Sequence, residues 1–438
     1  MKYSAFYRVT LFLGLAMVVA CSPTGVNEGN SHEQAPQLTP ASVVTDRSLI
    51  ITEPSVLRNP LAGAPQGPLH FDAVVKQLAG TSNVEQFMRD WVRSWESGNS
   101  GSSLSSCHSN GERPGVAAEL LSAWKQQRID LIAIVNRQDL AIAMSGASSR
   151  VPQIPGQGRL IYELRAVDGQ VAPFTLIVEF ALPGALASWA SRWLQLSNLS
   201  LSDPKFSTAL ARITADFVSS RNLLQIRTNE FICRENGWEL REYKYRSGRL
   251  VRNPLAQTPD ARYKTSASTA LANYVSSNLG LFLRGEHSFA DAGPISLGLS
   301  AKPQPPRWSE SVTTAQLPTG TDPSTFRQAM YLLQFNTCDG CHGHFDDQQR
   351  QIFRQSPNAP AVLGSFLQDA ITTPYPLPYC GQDRVATWCT AKSWNEIAMR
   401  KNVLLMNAAS GSRAYVEKYR QQQQLEIRDR SVLFRRVH

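Results

Sequence analysis

The sequence predicts a multidomain protein in which an α+β domain with a mainly antiparallel sheet precedes a small, mostly α-helical domain. Strand-like segments occur in neighbouring pairs around the turn signals Asp168-Gly169 and Asn236-Gly237, as in β-hairpins. Helical segments lie before and between these pairs, which is typical of α+β folds with antiparallel sheets. Towards the C-terminus the periodicity becomes helical and no strand-pairing signal follows. We assign residues 49–262 to the α+β domain, 263–319 to a helix and Pro-rich connector, and 320–438 to the helical domain.

The first twenty residues have the features of an export signal. Lys2 and Arg8 flank an apolar run, residues 9–20, that is too short to span a bilayer and matches a signal-peptide core. The run ends in "VVAC", which resembles the bacterial lipobox, and this resemblance implies cleavage before Cys21 and acylation of its thiol. Ser22 implies outer-membrane sorting, by resemblance to enterobacterial lipoproteins. A plain signal peptide or a signal anchor is the alternative.

Residues 21–48 are predicted to be a lipidated, flexible tether. They are rich in Ser, Thr, Pro, Gly, Asn and Gln and contain no aromatic residue, so they cannot bury enough surface to fold. Two or three acyl chains on Cys21 would hold the protein stably on a membrane. The expected location is therefore the bacterial cell envelope, on the outer membrane and facing the periplasm or the cell surface.

The composition is that of an ordinary globular protein, with 42 % apolar and 18 % charged residues. A formal net charge of +9 would favour contact with anionic lipid, an acidic partner protein or nucleic acid. Because the basic residues are spread along the chain instead of clustered, we expect no nucleic-acid partner.

Hydrophobic periodicity predicts the elements of the α+β domain. In chain order they are two amphipathic helices within 70–98, a buried strand within 128–140, a hairpin at 158–182, helices at about 185–196 and 204–220, and two strands, "LLQIRTNEFIC" and "GWELREYKYR".

The remaining chain is predicted to be helical apart from one Pro-rich stretch. A helix at about 267–279 is followed by residues 294–318, which carry five prolines and are expected to wrap on the surface. The sequence "PSTFRQAMYLLQF" at 323–335 predicts another helix. Four later segments also have helical character, at 346–355, 360–371, 393–408 and 413–430.

The stretch "NTCDGCHGHF", residues 336–345, contains two cysteines separated by two residues and followed at once by a histidine. Two thiols at this spacing can add to the two vinyl groups of haem, and the adjacent histidine then lies under the iron as its proximal ligand. This attachment takes place outside the cytoplasm, where the export signal directs the chain. Cys338 and Cys341 are therefore the predicted attachment residues for one haem c, and His342 is the predicted iron ligand.

The segment "FRQAMYLLQFNTCDGCHG" resembles the opening of class I c-type cytochromes, in which an amphipathic helix precedes the Cys-x-x-Cys-His motif. The resemblance covers about residues 320–438 and implies a small helical domain, a distal methionine on the iron and electron transfer. Met406 is the predicted distal ligand because it lies next to a flexible segment, and Met399 is the other candidate. A place in the hydrophobic core is the alternative for both methionines. His344 lies too close to His342 to reach the opposite haem face.

The cysteine count agrees with this assignment. Acylation of one of the seven cysteines leaves six, an even number in an oxidising compartment. If the motif holds haem, the other four can form two disulfides, Cys380 with Cys389 and Cys107 with Cys233.

Two other interpretations of the motif remain open. Cys338 and Cys341 could form a disulfide in a haem-free protein, although that needs no adjacent histidine. A zinc ion could recruit four of the cysteines, which is the ligand number that zinc prefers, namely Cys338, Cys341, Cys380 and Cys389.

Several polar residues interrupt the apolar strands of the α+β domain. They could form a binding or catalytic face, but an edge network of ion pairs and turn contacts is favoured because buried carboxylates and arginines usually pair. No nucleophile elbow, phosphate-binding glycine loop, zincin helix or kinase signature occurs, so no catalytic residue is predicted and an electron carrier or binding protein is expected. The polar residues are Asn136, Arg137, Asp139, Glu163, Glu179, Arg227, Asn229 and Glu230.

The strings "VNRQDL", "IRTNE" and "WELREY", combined with the late cysteine-histidine motif, resemble a group of exported bacterial proteins. That resemblance implies fold and compartment, and no activity. The sequence as a whole predicts a membrane-anchored lipoprotein that binds one haem c and exchanges electrons with a partner protein. The alternative is a haem-free, disulfide-bonded surface binding or scaffold lipoprotein.

Overall fold

Most of the described part of the chain is built on an eight-stranded antiparallel sheet with helices packed against it. The computed structural model describes residues 48–95, 114–138, 140, 155–233, 237–283, 287, 289, 293–301, 306–335 and 337–339, together with 375–376, 393–394 and 404. The predicted α+β class with a mainly antiparallel sheet is confirmed for this part of the chain.

Eight strands form the sheet. They are β1 (Ile50–Ile51), β2 (Ile129–Arg137), β3 (Gln157–Arg165), β4 (Val171–Ala181), β5 (Leu223–Cys233), β6 (Gly237–Arg246), β7 (Arg249–Asn253) and β8 (Ser300–Ala301). Strands β1 to β7 lie in chain order, each hydrogen-bonded to the next, and β8 pairs with β6. All of these pairings are antiparallel. The short strands β1, β7 and β8 were not predicted, whereas β2 to β6 were.

The described residues contain nine helices; those up to residue 217 pack on one side of the sheet, and the last three share a separate hydrophobic cluster. They are α1 (Pro54–Leu57), α2 (Phe71–Ala79), α3 (Val84–Val92), α4 (Pro114–Lys125), α5 (Leu186–Ser197), α6 (Pro204–Phe217), α7 (Ser268–Ser277), α8 (Leu279–Leu283) and α9 (Pro323–Phe335). The predicted helices correspond to α2, α3, α5, α6, α7 and α9. Helix α4 was not predicted, since the sequence analysis assigned no element between residues 98 and 128.

Local side-chain bonds fix where two of these helices begin. The Asn83 side chain accepts a hydrogen bond from the backbone N–H of Gln86 at 3.0 Å and caps α3. Asp203 caps α6 in the same way, and Pro204 occupies the first helical position, where a missing N–H costs nothing. Both helices therefore begin directly after a residue whose side-chain oxygen caps the first turn.

The hairpin between β3 and β4 turns at the predicted Asp168-Gly169 pair. Gly169 has φ of 81°, a conformation that a residue with a side chain rarely adopts. The Asp168 carboxylate accepts the backbone N–H of Gln170 at 3.0 Å. The turn thus fixes the register in which Leu160 lies opposite Val178.

One face of the sheet, here called the helix face, is apolar over most of its area. Leu160, Val178, Ile226 and Tyr243 lie opposite one another on four neighbouring strands. They belong to the main hydrophobic core together with buried residues of α2 to α6. Because side chains alternate along a strand, the intervening residues point to the other side, here called the second face.

The second face mixes apolar and charged side chains. Ile161 and Val135 form a small apolar cluster near β1. Arg159, Glu179 and Arg227 lie on the same face farther along the sheet, and all three are buried. The sheet therefore has a hydrophobic side, which supplies most of the core, and a side on which buried charges must pair.

Replacing Gly158 with alanine should lower the free energy of unfolding by about 1–3 kcal/mol, because it overpacks the helix face. A Cβ atom at this position would lie 2.6 to 2.8 Å from three carbon atoms of the Phe217 ring, which reaches down from α6. Urea unfolding measures the change. Phe217→Leu should lower the free energy of unfolding less in the Gly158→Ala variant than in the natural protein. Strictly additive effects of the two substitutions would contradict the proposed clash.

Two short strands lie in the region near the C-terminus where the sequence carries no strand-pairing signal. Tyr375–Pro376 (β9) and Ser393–Trp394 (β10) pair as an antiparallel two-stranded ladder. The helix predicted at 393–408 is therefore wrong at its first two residues, because pairing with a segment distant in sequence overrides local periodicity. The other predicted helices after α9, at 346–355, 360–371 and 413–430, lie outside the described residues.

Candidate functional site

Helix α9 lies just before the cysteine-histidine motif in sequence. Its residues Phe326, Met330 and Leu333 are buried in one hydrophobic cluster with residues of α7, α8 and the connector, including Val275 and Phe282. Described residues before and after the predicted domain boundary at 319/320 thus belong to the same cluster. The boundary itself stays a prediction. The motif begins three residues after α9 ends.

Cys338 is buried against the second face of the sheet. Its side chain packs with Leu240 of β6, Leu255 and Ala301 of β8, and only 1 % of it is exposed. Its backbone N–H donates a hydrogen bond to Thr258 Oγ1 at 3.0 Å. Cys338 is a free thiol, and burial raises its pKa to about 11, so the thiol is neutral at physiological pH.

Asp339 is fixed by two partners that the sequence did not single out. Its Oδ1 accepts a hydrogen bond from Trp308 Nε1 at 2.9 Å, and its Oδ2 lies 2.6 Å from Lys264 Nζ. Trp308 is 1 % exposed, so its side chain packs inside the protein, and the surface course of residues 294–318 as a whole stays a prediction. A tryptophan within a Pro-rich stretch was the available signal, since so large an apolar side chain is seldom left in water.

The other residues predicted for cofactor, lipid or disulfide bonds cannot be placed around Cys338. Cys233 ends β5, opposite Gly237. Both predicted disulfides and the lipid anchor stay predictions. The remaining predicted residues lie outside the described ones: Cys21, Cys107, Cys341, His342, His344, Cys380, Cys389, Met399 and Met406.

The polar residues of the second face form a buried ion network. Glu179 lies 3.3 Å from Arg159 and 3.6 Å from Arg227, and it accepts a hydrogen bond from Gln225 at 2.8 Å. Arg227 also pairs with Glu242 at 3.1 Å. Burial alone would raise the pKa of Glu179, but the two arginines outweigh burial and lower it.

A second buried network lies on the helix face at the end of the sheet. Arg241 Nε is 3.4 Å from Glu230 and 3.3 Å from Glu239, and all three side chains are almost completely buried. Glu230 also accepts hydrogen bonds from Trp95 Nε1 at 2.9 Å and from Thr228 at 3.0 Å. Burial lowers the pKa of Arg241, but the two carboxylates outweigh this effect and raise it.

The two networks match the expected pairing of buried charges, but they lie within the sheet and not along its edge. Glu163 pairs with Arg165 at 2.5 Å, and Asn229 donates to Thr175 at 3.2 Å. Asn136 donates to the Ser48 carbonyl at 3.0 Å. Arg137 is buried, and Asp139 lies outside the described residues. Pairing of this kind accounts for the burial of Glu163, Glu179, Arg227 and Glu230.

The described residues define an α+β protein built on an eight-stranded antiparallel sheet, with the first cysteine of the motif packed on that sheet. Among these residues, no group of three or more His, Cys, Asp or Glu side chains could hold a metal ion. No helix in the described ranges is long and apolar enough to span a membrane. No protein-family model, curated protein or solved structure matches the chain.

Proposed function

We propose that the chain is an exported lipoprotein, anchored by Cys21 to the outer membrane, that carries one covalent haem c and transfers electrons to or from a partner protein. The observation that carries this proposal is the Cys338-x-x-Cys341-His342 spacing directly after an amphipathic helix, and the predicted export signal agrees with it. Residues 320–438 would then form a cytochrome-c-like helical domain. The +9 net charge would favour an acidic partner.

The surroundings of Cys338 fit a haem thioether better than a zinc thiolate. A thioether is neutral and joins an apolar edge of the haem, and Leu240, Leu255 and Ala301 provide an apolar wall beside the sulfur. A zinc-bound thiolate keeps negative charge, which these apolar side chains do not pair, so the apolar wall supports haem over zinc.

In this proposal the haem supplies a redox-active iron, and the chain's own residues hold it in place. Cys338 and Cys341 would provide the covalent bonds, and His342 would be the proximal ligand. Met406, or alternatively Met399, would occupy the distal position. The hydrogen bond from Cys338 to Thr258 and the contacts of Asp339 would keep the attachment segment fixed on the sheet.

A haem-free, disulfide-bonded binding or scaffold lipoprotein is the second candidate. The burial of Cys338 is consistent with it, because cysteines, bridged or not, are among the residues most often packed in protein interiors. In that case the motif would be a structural element of the sheet's second face, and the two buried charge networks would only stabilise the fold.

The purified full-length protein, expressed with the haem-attachment machinery, should keep a haem stain after denaturing electrophoresis. Cys338→Ser with Cys341→Ser should abolish the stain, because both covalent bonds are then lost. The matched control is Cys380→Ser with Cys389→Ser, which should retain it.

Mass measurement of the same samples separates the two candidates. Haem mass on the peptide containing Cys338 to His342 supports the cytochrome proposal. A colourless natural protein whose mass rises by six hydrogens on reduction would instead establish the haem-free candidate.

A further inference from the structure

Three cations lie close together on the second face of the sheet, in the hairpin formed by β6 and β7. Arg246 of β6 and Arg249 of β7 are directly opposite each other. Lys244 lies two residues before Arg246 and therefore points to the same side. Both arginines are exposed, and Lys244 is half-buried. We call these three residues the hairpin cations.

The hairpin cations have no acidic partner among the described residues. Arg246 donates a hydrogen bond to the Asn253 side chain at 3.2 Å, and none of the three cations forms an ion pair with a described carboxylate. Other strand arginines contact carboxylates, as Arg165 does with Asp130 at 2.6 Å. Like charges directly opposite on neighbouring strands destabilise a sheet. The hairpin therefore keeps an unbalanced positive charge at the protein surface.

The surroundings of the hairpin cations favour a lipid surface over a protein as their partner. A specific protein interface has an apolar or aromatic centre within a polar rim. The large apolar side chains that are exposed in the described residues all lie outside the hairpin; they are Leu61, Val167, Leu281 and Leu299. Clustered lysines and arginines without an apolar centre fit anionic phospholipid headgroups, which attract them by charge alone.

We infer that the hairpin cations dock the sheet domain on the anionic phospholipid surface of the membrane that holds the anchor. This inference rests on the lipid-anchor part of the proposed function and is independent of haem. The predicted tether ends at β1, and β7 lies at the other end of the row of strands, about 30 Å away. A flexible tether over residues 21–48 would reach on the order of 30 Å. The anchor and the hairpin can therefore contact one membrane together.

Partition of the full-length chain onto lipid vesicles tests this inference. The chain carries Cys21→Ser, which removes the proposed acylation site, so that binding through the hairpin is measured without the anchor. Vesicles of phosphatidylcholine alone are compared with vesicles that also contain the anionic lipid phosphatidylglycerol. The readout is the ratio of the anionic to the zwitterionic partition coefficient, because any attachment through the apolar N-terminal run affects both.

Replacing all three hairpin cations with glutamine should lower this ratio by about hundredfold, since each cation near an anionic surface favours binding. The double variant Arg246→Lys with Arg249→Lys keeps the charge and should keep the ratio. The matched control replaces three exposed cations of α4 and α6 with glutamine, namely Lys125, Lys205 and Arg212. The control should leave the ratio within about twofold, because the sheet and a helix layer separate these cations from the hairpin face by more than a Debye length. Urea unfolding should show that every variant folds, since only surface side chains change.

Three results would overturn the inference. Equal losses in the glutamine variant and its control would mean that only net charge matters. A natural hairpin without preference for anionic vesicles would leave an acidic protein as the partner. Self-association of the glutamine variant with an unchanged ratio would show that the cations only protect an edge strand. The mass of acyl chains on Cys21 of the natural protein tests the anchor separately, so that failure of the anchor is distinguishable from failure of the hairpin contact.

Discussion

Replacing Arg241 with methionine should lower the free energy of unfolding by about 3–5 kcal/mol. Arg241 is completely buried, and its Nε lies between the carboxylates of Glu230 and Glu239, at 3.4 and 3.3 Å. These two glutamates are directly opposite each other on β5 and β6. Without the arginine, two buried like charges face each other in a site that water does not reach. Urea unfolding at neutral pH measures the loss.

Two further variants separate the charge effect from the loss of side-chain packing. Arg249→Met changes an exposed arginine on the neighbouring strand β7 and should stay within about 0.5 kcal/mol of the natural protein. Adding Glu230→Gln and Glu239→Gln to Arg241→Met should recover most of the lost stability, because no buried charge then remains unpaired. If Arg241→Met costs no more than Arg249→Met, the network does not stabilise the fold as described.

The sheet was predictable from sequence where local patterns were strong. Strands β3 and β4 were found because runs rich in apolar and β-branched residues lie on both sides of Asp168-Gly169, a turn that needs the positive φ of its glycine. By contrast, β8 consists of only two residues, Ser300–Ala301, and is defined by its pairing with β6. Such a strand has no periodicity of its own, so only the tertiary structure identifies it.

The contacts of the candidate site were harder to predict than its residue types. The spacing of Cys338 to His342 is visible in the sequence. The contacts of Cys338 with Thr258, and of Asp339 with Lys264 and Trp308, are not. These three partners lie about 30 to 80 positions earlier in the chain, and a single lysine or threonine carries no local signal of burial. The ion pairs on the strands were expected from residue types, but their burial within the sheet depends on strand order.

Glu179→Gln should also lower the free energy of unfolding by about 3–5 kcal/mol at pH 7, because it removes the carboxylate that Arg159 and Arg227 share. The folded-state pKa of Glu179 lies below its usual value of 4.5, since the two arginines outweigh the opposing effect of burial. The ionised carboxylate therefore contributes stability that is fully present above 4.5 and is lost as the pH falls through the folded-state pKa. The difference in free energy of unfolding between the natural protein and Glu179→Gln should therefore become smaller over the same acidic range.

Glu163→Gln provides a matched comparison, for which the expected pH dependence of stability has the opposite sign. Glu163 lies on the same face of the sheet in β3, but burial there outweighs its pairing with Arg165 and raises its pKa above 4.5. An acid with a raised folded-state pKa costs stability when ionised, so the natural protein gains stability from this site as the pH falls through that pKa. The difference in free energy of unfolding between the natural protein and each variant, measured with urea from pH 7 to pH 3, should thus change in opposite directions for Glu179→Gln and Glu163→Gln. Equal slopes would mean that the arginines do not hold Glu179 ionised.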